Sequence, residues 1–433
     1  MVDKLKFSPG FLHYIHNTLW LIAEKFLGTI AVLFIGVWIA RHLGPAQFGK
    51  LSFAQSVVAM FSVVALLGLV RILERDLVSK ESNRVEIINT ALVLILGGAT
   101  FVYSIILCFL AWRDYEDITN HLIAIVGLST FFQVNRVYTA YFYSQVKAKR
   151  VVIGTVLALL VSNSIKIAFI LSQAHLMFFA IAVFLDSAIL FPVLLFITRN
   201  TEAVIRLHTF SVARAKSLLR DSWPYILSGF LATIYLRIDT VMIKEMMGDY
   251  SAGQYAAAAR LSEGLYYLPI TILASIYPAI VNAKHSSESL YRTRLSNLYS
   301  FLFLLGLSIS IFVSLFSELI IDTLYGSVYS AAAVVLLIHV WSCVFIFVGT
   351  CSGRWLLTEN LQVLAAANTF LGASLNIGLN IYLIPRYGIV GAAWATLVSY
   401  SFVGYFSFFL WKRTRPNFML MTRSFMKMPR LSW

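Results

Sequence analysis

The chain is poor in charged residues. Only 12% of its 433 residues are Asp, Glu, Lys or Arg, whereas a soluble domain carries about 25%. Hydrophobic residues make up 59% of the sequence, and the mean hydropathy is +0.80. This shortage of charge excludes a protein that is wetted on all sides. The composition therefore predicts an all-α polytopic membrane protein, because helices satisfy their own backbone hydrogen bonds within hydrocarbon.

Cysteine is also scarce, and the sequence shows no catalytic or metal-binding pattern. Cys108, Cys343 and Cys351 each lie within an apolar run, so we expect buried free thiols and neither a disulfide framework nor a metal site. No Ser/His/Asp set and no pair of acids on a water-exposed loop stands out. We therefore predict that the protein is not an enzyme and uses no cofactor.

Long apolar runs fill most of the chain. A helix needs roughly 20 apolar residues to cross the hydrocarbon core of a bilayer. Twelve runs meet this requirement, and the connections between them are short. The predicted spans are 17–40, 51–71, 87–111, 119–144, 151–173, 177–198, 224–247, 254–281, 296–317, 330–352, 361–384 and 388–411.

The basic residues indicate the orientation. The formal net charge of +14 is concentrated in alternate loops, which is typical of a membrane protein rather than of a nucleic-acid-binding protein. The loops of the other set hold few cations, so the basic set is predicted to be cytoplasmic, with both termini inside. The predicted domains are a six-helix bundle (1–198), a cytoplasmic linker (199–223), a second six-helix bundle (224–411) and a basic cytoplasmic tail (412–433).

An internal repeat relates the two halves. Gly44 and Gly49 follow the first predicted span, and Gly248 and Gly253 follow the seventh with the same spacing. These residues are glycines in loops rather than interchangeable leucines, so chance similarity between apolar segments is the weaker explanation. The halves are therefore predicted to be structural repeats of the same topology.

The first of these loops also matches most of a phosphate-binding P-loop. Gly44–Lys50 fits G-x-x-x-x-G-K, but Leu51 occupies the Ser/Thr position and no strand precedes it. A tight turn is the better interpretation. We expect Gly44 and Gly49 to adopt positive φ, with Pro45 fixing the start of the turn.

Nine charged side chains lie inside the predicted spans. Each costs at least ~2.5 kcal/mol at the centre of an isolated helix, so nine together indicate an aqueous interior. Cations outnumber carboxylates by one, which suits an anionic substrate, and the arginine fork matches phosphate oxygens. The candidates for diphosphate or glycan binding are Lys25, Arg136, Lys166, Arg237 and Arg260, and the candidates for ion coupling are Glu24, Asp186, Asp239 and Glu263.

Structural ion pairs are the alternative for these charges. Arg260 and Glu263 are three residues apart and can meet on one helix face. Arg237 and Asp239 are two residues apart and point in different directions, so each needs a partner on another helix. Lys25 lies close enough to the start of its span to reach the inner surface instead.

Uncharged polar residues in the spans are weaker signals. Asn376 and Asn380 lie one helical turn apart, and we expect them to hold helices together rather than to bind substrate. His339 stands alone in its span, which favours a packed polar residue over a ligand.

Four segments resemble the polysaccharide biosynthesis flippases, the Wzx-type O-antigen transporters of the multidrug/oligosaccharidyl-lipid/polysaccharide exporter superfamily. The similarity extends over essentially the whole chain, and the segments occur in the family's order. They are RHLGPAQFG at 41–49, RID at 237–239, GQYAAAARLSE at 253–263 and IPRYGIVGAA at 384–393.

The resemblance implies a fold and a function. It implies a MATE-like fold, in which twelve helices form two repeated six-helix bundles around a central cavity. The implied activity is flipping of an undecaprenyl-diphosphate-linked oligosaccharide, an O-antigen or similar repeat unit, from the cytoplasmic to the periplasmic leaflet of the bacterial inner membrane by alternating access. The implied partners are that lipid-linked oligosaccharide, membrane lipids and other membrane proteins of polysaccharide assembly, but no nucleic acid.

Two other kinds of function compete with this one. A drug exporter of the same superfamily would favour an acidic cavity for cationic drugs, against the surplus of cations seen here. A membrane enzyme of polysaccharide assembly usually carries a large outer loop, whereas the outer loops here are short. A scaffold for such enzymes is the third alternative.

Overall fold

The computed structural model describes residues 9–79, 83–113, 115–206 and 209–426. Helices make up the regular structure of these residues, and no strand occurs among them, so the all-α prediction is confirmed. Contacts divide the chain into two compact units. Unit 1 comprises Met1–His42 and Ala54–Thr233, and unit 2 comprises Leu43–Phe53 and Ile234–Trp433.

Unit 1 contains most of the first nine helices, and α9 continues from unit 1 into unit 2. A 3-10 segment, Leu128–Val134, joins α4 to α5. The helices are α1 (Pro9–Ala65), α2 (Leu69–Ser79), α3 (Arg84–Arg113), α4 (Asp117–Gly127), α5 (Asn135–Ser144), α6 (Ala148–Leu171), α7 (Leu176–Ala188), α8 (Leu190–Thr198) and α9 (Val212–Met247).

Unit 2 contains the remaining helices. A short 3-10 segment, Ser327–Tyr329, precedes α14, and a π-helical segment, Phe402–Phe406, follows α16. The helices are α10 (Asp249–Leu265), α11 (Tyr267–Ser286), α12 (Glu288–Leu315), α13 (Ser317–Tyr325), α14 (Ser330–His339), α15 (Ser342–Thr358), α16 (Gln362–Ser401), α17 (Ser407–Leu410) and α18 (Arg415–Phe425).

The helices fit a multi-pass membrane protein. By length and apolar composition, eight helices of the described residues can cross a membrane, or nine if the bent pair Ser327–His339 and Ser342–Thr358 forms one span. The predicted count of twelve is therefore not confirmed. One reason is that α1 and α16 each run through a predicted loop, with non-helical backbone only at Gly44 and Gly388.

The first glycine of each repeated motif turns the chain. Gly44 has φ 69° and ψ 168°, and Gly248 has φ 84° and ψ −178°, a region that favours glycine because it has no Cβ. A helical segment follows each of them. The expected positive φ is thus confirmed for Gly44, and its counterpart in the second half behaves in the same way.

The second glycine of each motif serves a different purpose. Gly49 and Gly253 are helical, and their two helices touch backbone to backbone within unit 2. A Cβ on Gly49 would lie 1.9 Å from the carbonyl oxygen of Asp249, and one on Gly253 would lie 1.8 Å from that of Pro45. The prediction of a positive φ at Gly49 is wrong. Close approach, rather than turn geometry, requires glycine there.

In each unit, ion-pair contacts join loops that are predicted to lie on the same side of the membrane. These loops therefore lie at the same end of their unit. In unit 1, Arg214 of the sixth predicted loop lies 3.7 Å from Glu86 of the second. In unit 2, Lys284 and Glu359 form a 2.6 Å ion pair between the eighth and tenth predicted loops. These contacts agree with the alternation of the basic loops. Which end faces the cytoplasm stays a prediction.

Part of the predicted basic tail is a docked helix. Helix α18 packs in unit 2, where Asn417 accepts a 3.1 Å hydrogen bond from the Tyr299 hydroxyl and Phe425 stacks on Phe303 at 4.3 Å. The rest of that tail, 427–433, lies outside the described residues. Part of the predicted linker likewise belongs to α9, which begins at Val212. The other predicted domain boundaries stay predictions.

The cysteines differ in burial. Cys343 and Cys351 lie in the apolar core of unit 2 with Leu298 and Phe347, as expected. Cys108 is exposed, so the prediction that it is buried is wrong. An apolar run does not reveal which face of a helix packs inward, and Cys108 lies on the outward face of α3.

Substitution of Gly49 by alanine should lower the melting temperature of the purified protein. The new methyl group would overlap the Asp249 carbonyl, and overpacking of this kind costs ~1–3 kcal/mol or more. Gly378→Ala is the control, because no atom lies within 4 Å of its added Cβ. Equal melting temperatures for the two variants would contradict the backbone contact at Gly49.

Candidate functional site

In unit 1, two of the predicted site residues are partners of each other. The Lys166 Nζ atom on α6 lies 2.6 Å from Oδ1 and 2.8 Å from Oδ2 of Asp186 on α7. The Ser162 hydroxyl also donates to Asp186. The Lys166 side chain is 12% exposed and that of Asp186 is 37% exposed. The positive charge of Lys166 is therefore available to a phosphate only if this ion pair opens.

A second group of predicted residues in unit 1 is arranged differently. Glu24 is buried and accepts a hydrogen bond from the Tyr143 hydroxyl at 3.5 Å. Arg136 on α5 interacts electrostatically with the same tyrosine. Lys25 and Arg136 are both exposed, and neither forms an ion pair with a carboxylate in the described part of the chain. Their charges are thus accessible, unlike that of Lys166.

The sequence interpretation missed two charged residues beside this group. Glu74 on α2 interacts electrostatically with Tyr143 and with Arg71, whose guanidinium lies over the Tyr225 ring at 5.7 Å. The hydropathy pattern predicts the end of a span and a loop at this stretch. The signal was present, because the buried residues of α2 recur at helical spacing. They are Leu69, Ile72, Leu73, Asp76 and Leu77.

In unit 2, the cations of α9 and α10 have separate partners. Arg237 Nη1 lies 3.3 Å from Glu263 Oε2, with the side chains 41% and 21% exposed. The Arg260 guanidinium lies over the Phe48 ring at 4.7 Å, a cation–π contact. The expectation that Arg237 finds its partner on another helix is confirmed. The Arg237 side chain stays partly exposed even though it pairs with Glu263.

Asp239 is buried among neutral hydrogen-bond donors. Tyr255 and Thr396 donate to Oδ2 at 2.9 and 2.6 Å, and the Asn380 amide donates to Oδ1 at 2.5 Å. Asn380 also donates to Asn376 at 3.2 Å. Among the described residues, no Lys, Arg or His pairs with this carboxylate. Asn380 links α16 to α9, as expected, whereas Asn376 accepts its hydrogen bond from Asn380 within α16. Both amides belong to the polar site around Asp239.

Two buried side-chain atoms at this site lack partners. The Asn376 amide nitrogen Nδ2 and the Asn380 oxygen Oδ1 form no hydrogen bond in the described structure. An unpaired polar atom in a protein interior is costly, so each such atom needs an explanation. Asp239 and its four polar neighbours therefore bring side-chain oxygen atoms to one buried place, and two of the amide atoms there still have hydrogen-bonding capacity.

His339 belongs to a neighbouring network. Its Nδ1 atom lies 2.7 Å from the Ser262 hydroxyl, and its ring meets the Tyr255 ring edge-on at 5.9 Å. It is 2% exposed. His339 is thus a packed polar residue, as expected.

Comparison with known proteins identifies the family. Residues 38–334 match the family described as Polysaccharide biosynthesis protein, which is more than half of the chain. The chain belongs to this family. The curated relatives that match it include a protein named as a probable glycan biosynthesis flippase.

Two archaeal relatives match part of the chain. A probable low-salt glycan biosynthesis flippase of Haloferax volcanii is 27% identical over 192 residues, which cover 44% of this chain and 41% of that protein. An uncharacterized membrane protein of Methanocaldococcus jannaschii is 26% identical over 187 residues, which cover 42% of each chain. The matched region thus spans less than half the length of either relative.

Solved structures show the fold. A multidrug resistance MATE family transporter of the MOP superfamily, in its inward-facing conformation, has a TM-score of 0.74 at 15% identity, covering 94% of this chain and 99% of that chain. The lipid II flippase MurJ, in an inward closed conformation, has a TM-score of 0.73 at 13% identity, covering 94% and 90%. The predicted MATE-like fold is confirmed.

Reversing the charge of Lys166 alone should destabilise unit 1. Lys166→Glu would place two carboxylates together, and loss of a buried ion-pair partner costs ~3–5 kcal/mol, less here because Asp186 is partly exposed. The swapped double variant Lys166→Glu/Asp186→Lys should recover most of the melting temperature. A melting temperature of Lys166→Glu equal to that of the parent, or of the double variant no higher than that of Lys166→Glu, would contradict the pair.

Proposed function

We propose that this protein is a flippase for a glycan carried on a polyprenyl diphosphate. The proposed cargo is an undecaprenyl-diphosphate-linked O-antigen or similar repeat unit, moved from the cytoplasmic to the periplasmic leaflet by alternating access. Membership of the polysaccharide biosynthesis family carries the proposal, and the Haloferax volcanii relative is itself named as a glycan biosynthesis flippase. The proposed location is the bacterial inner membrane, with both termini cytoplasmic.

Such a cargo needs protein groups to replace water. A diphosphate and a hydrated glycan cannot enter hydrocarbon without compensating contacts, because ion burial is very costly. Arg136 lies about 12 Å along the helix axis from Ser144, the last residue of α5, by the rise of an α-helix. An exposed arginine at that depth cannot face acyl chains cheaply, so we place it against water. Arg136, with Lys25, is our candidate for first contact with the diphosphate.

The paired cations suggest how the diphosphate moves further. Lys166 and Arg237 each hold one carboxylate, at 2.6 and 3.3 Å. A phosphate that binds either cation must displace Asp186 or Glu263. The released carboxylate can then take up a proton or a metal cation, so binding of the substrate to the cation and binding of the ion to the carboxylate favour each other. Replacement of the carboxylate by the phosphate uses charges that are already paired, so it requires no further cation in the interior.

Asp239 is our leading candidate for ion coupling. Asp186 and Glu263 are already neutralised by cations, and Glu24 bonds to a tyrosine. Asp239 is only 4% exposed and has neutral partners alone among the described residues. An isolated buried charge is costly, so the site favours uptake of a proton or of Na⁺. Oxygen-rich surroundings suit a hard cation.

Removal of the Arg136 charge should slow translocation without loss of folded protein. Arg136→Ala breaks no ion pair of the described structure, so its free energy of unfolding should stay within about 1 kcal/mol of that of the parent. Its melting temperature should therefore change little. Transport of lipid-linked glycan into the outer leaflet of proteoliposomes should fall at least severalfold. Arg292→Ala is the control, since Arg292 forms only an exposed pair with Glu288. Full transport by Arg136→Ala would remove this residue from the route.

Neutralising Asp239 should abolish the dependence of transport on an ion gradient. Asp239→Asn keeps the shape and most hydrogen bonds but removes the charge that attracts a proton or Na⁺. Glu359→Gln is the control, because Glu359 pairs with Lys284 at an end of unit 2. Transport should be measured with imposed proton and Na⁺ gradients. An unchanged gradient response in Asp239→Asn would move the coupling site elsewhere.

A drug exporter is tested by the same preparation. The likeness to the MATE transporter, at 15% identity, shows only the fold. Gradient-driven uptake of cationic dyes, with no movement of lipid-linked glycan, would overturn the proposed function.

A further inference from the structure

A 3-10 segment interrupts the fourth predicted span of unit 1. It comprises the seven residues Leu128–Val134 and joins α4 to α5. Runs of 3-10 helix longer than about four residues are uncommon, and within a helix they often mark a hinge. The segment lies near the middle of the predicted span 119–144, and Arg136 follows it by two residues. The helix that carries Arg136 therefore starts at a candidate hinge.

A second interruption divides the sixth predicted span, 177–198. Helix α7 ends at Ala188, and α8 begins at Leu190. Pro192 explains the break, because it has no N–H to donate to the Ala188 carbonyl and its ring would crowd that carbonyl in a continuous helix. The break is therefore a consequence of the local sequence.

Aromatic packing places the two interruptions side by side. The Phe132 ring of the 3-10 segment meets the Phe184 ring edge-on, with 5.5 Å between centroids, and the Phe191 ring edge-on at 5.8 Å. Phe184 lies on α7 and Phe191 lies on α8. One ring of the first interruption thus contacts both helices that flank the second.

Asn135 links the same two places by a hydrogen bond. Its side-chain amide nitrogen Nδ2 donates to the Ser187 carbonyl oxygen at 2.9 Å. The carbonyl oxygen can only accept, so the amide nitrogen must face it. Asn135 is the first residue of α5, and Ser187 is the last but one of α7. Because Asn135 is only 6% exposed, the bond is shielded from bulk water.

This hydrogen bond lies between candidate site residues. Arg136 follows Asn135 in the chain, and Asp186 precedes Ser187. Consecutive Cα atoms are about 3.8 Å apart, so the backbones of Arg136 and Asp186 flank the bond. Asp186 in turn holds the Lys166 Nζ atom at 2.6 Å. The bond therefore fixes the backbone of the exposed Arg136 relative to the Lys166–Asp186 pair.

The polar link between α5 and α7 depends on this one bond. Tyr138 lies three residues after Asn135 on α5, so the two side chains share a helix face. Both the Tyr138 hydroxyl oxygen and Asn135 Oδ1 are buried and form no hydrogen bond in the described part of the chain. Of the polar side-chain atoms that these two residues offer, only Asn135 Nδ2 reaches α7. Loss of that donor would leave the link without a substitute on this face.

We propose that Asn135 is a positioning residue for diphosphate binding. It holds Arg136 beside the Lys166–Asp186 pair, so that a diphosphate attracted by Arg136 also meets Lys166. The inference rests on the proposed function and adds to it the residue that makes two cations act on one substrate. Asn135 acts through its neighbours, since its donor is occupied by Ser187 and its side chain is buried.

A binding cycle on the full chain in lipid nanodiscs tests this role. The probe is undecaprenyl diphosphate without a glycan. Its dissociation constant is measured for the parent, for Arg136→Ala, for the neutral pair Lys166→Met/Asp186→Asn, and for all of these changes together. Effects of residues that bind one ligand jointly are non-additive. The combined variant should therefore weaken binding severalfold less than the product of the separate effects.

Removal of the Asn135 donor should abolish that coupling. Asn135→Leu keeps a side chain of similar size but leaves the Ser187 carbonyl without its partner. Binding of undecaprenyl diphosphate should weaken severalfold. In this background the effects of Arg136→Ala and of the neutral pair should simply multiply. Asn135→Ala, which adds no bulk, takes the place of Asn135→Leu if the latter does not fold.

Asn89 provides the matched control in unit 1. It is 0% exposed, donates to the Val85 carbonyl at 2.9 Å and accepts from the Arg206 backbone nitrogen at 2.6 Å. Asn89→Leu removes both bonds, so it should lower the melting temperature at least as much as Asn135→Leu does. It should leave the coupling at the parent level. Equal coupling in Asn135→Leu and Asn89→Leu, or no coupling in the parent, would overturn the inference and leave Asn135 as a helix-packing residue only.

A leaflet assay on the parent separates this inference from the proposed function. Translocation of lipid-linked glycan, without coupling between Arg136 and the Lys166–Asp186 pair, would overturn the positioning role and retain the function. Coupling without translocation would retain the role and overturn the function. Absence of both undecaprenyl diphosphate binding and translocation would overturn both.

Discussion

The cost of holding charge inside a membrane governs the polar interior of this protein. Lys166 is held against Asp186, and Arg237 against Glu263, so that each costly charge meets an opposite one. Asp239 breaks the pattern, because only neutral donors surround it. A membrane protein tolerates such a residue when function requires a site that gains and loses a cation. The lack of a cationic partner separates Asp239 from Asp186 and Glu263, the other carboxylates, each of which already meets a cation.

The repeated glycines allow tight turns and close contact between helices. Gly44 and Gly248 turn the chain into a new helix, and Gly49 and Gly253 let two helix backbones meet. Without side chains between them, the backbones approach closely enough for dispersion forces to replace the absent hydrophobic drive. Gly349 and Gly404 likewise bring α15 close to the π-helical segment in unit 2. Packing of this kind is what holds helices together in hydrocarbon.

Much of the fold was predictable from the sequence, and most of the site geometry was not. Apolar runs of span length and alternating basic loops predicted the helical class and the sorting of loops, and the glycine repeat predicted two related halves. The MATE-like fold was implied by the resemblance of four segments to a known family. The count of twelve spans was not confirmed, since α1 and α16 pass through turns that the sequence marked as loops. Helix continuity depends on packing across the turn, and a hydropathy pattern does not report it.

The sequence by itself determined which side chains are expensive in a membrane, because transfer cost is a property of residue type and span position. It placed Asp239 and Arg136 on the list of candidates on that ground alone. Only the tertiary structure decided which partners each residue has. Asp239 accepts hydrogen bonds from Tyr255, Thr396 and Asn380. Arg136 is exposed and pairs with no carboxylate of the described residues. Partners come from helices far apart in the chain, and the rotation of each helix about its axis is set by packing.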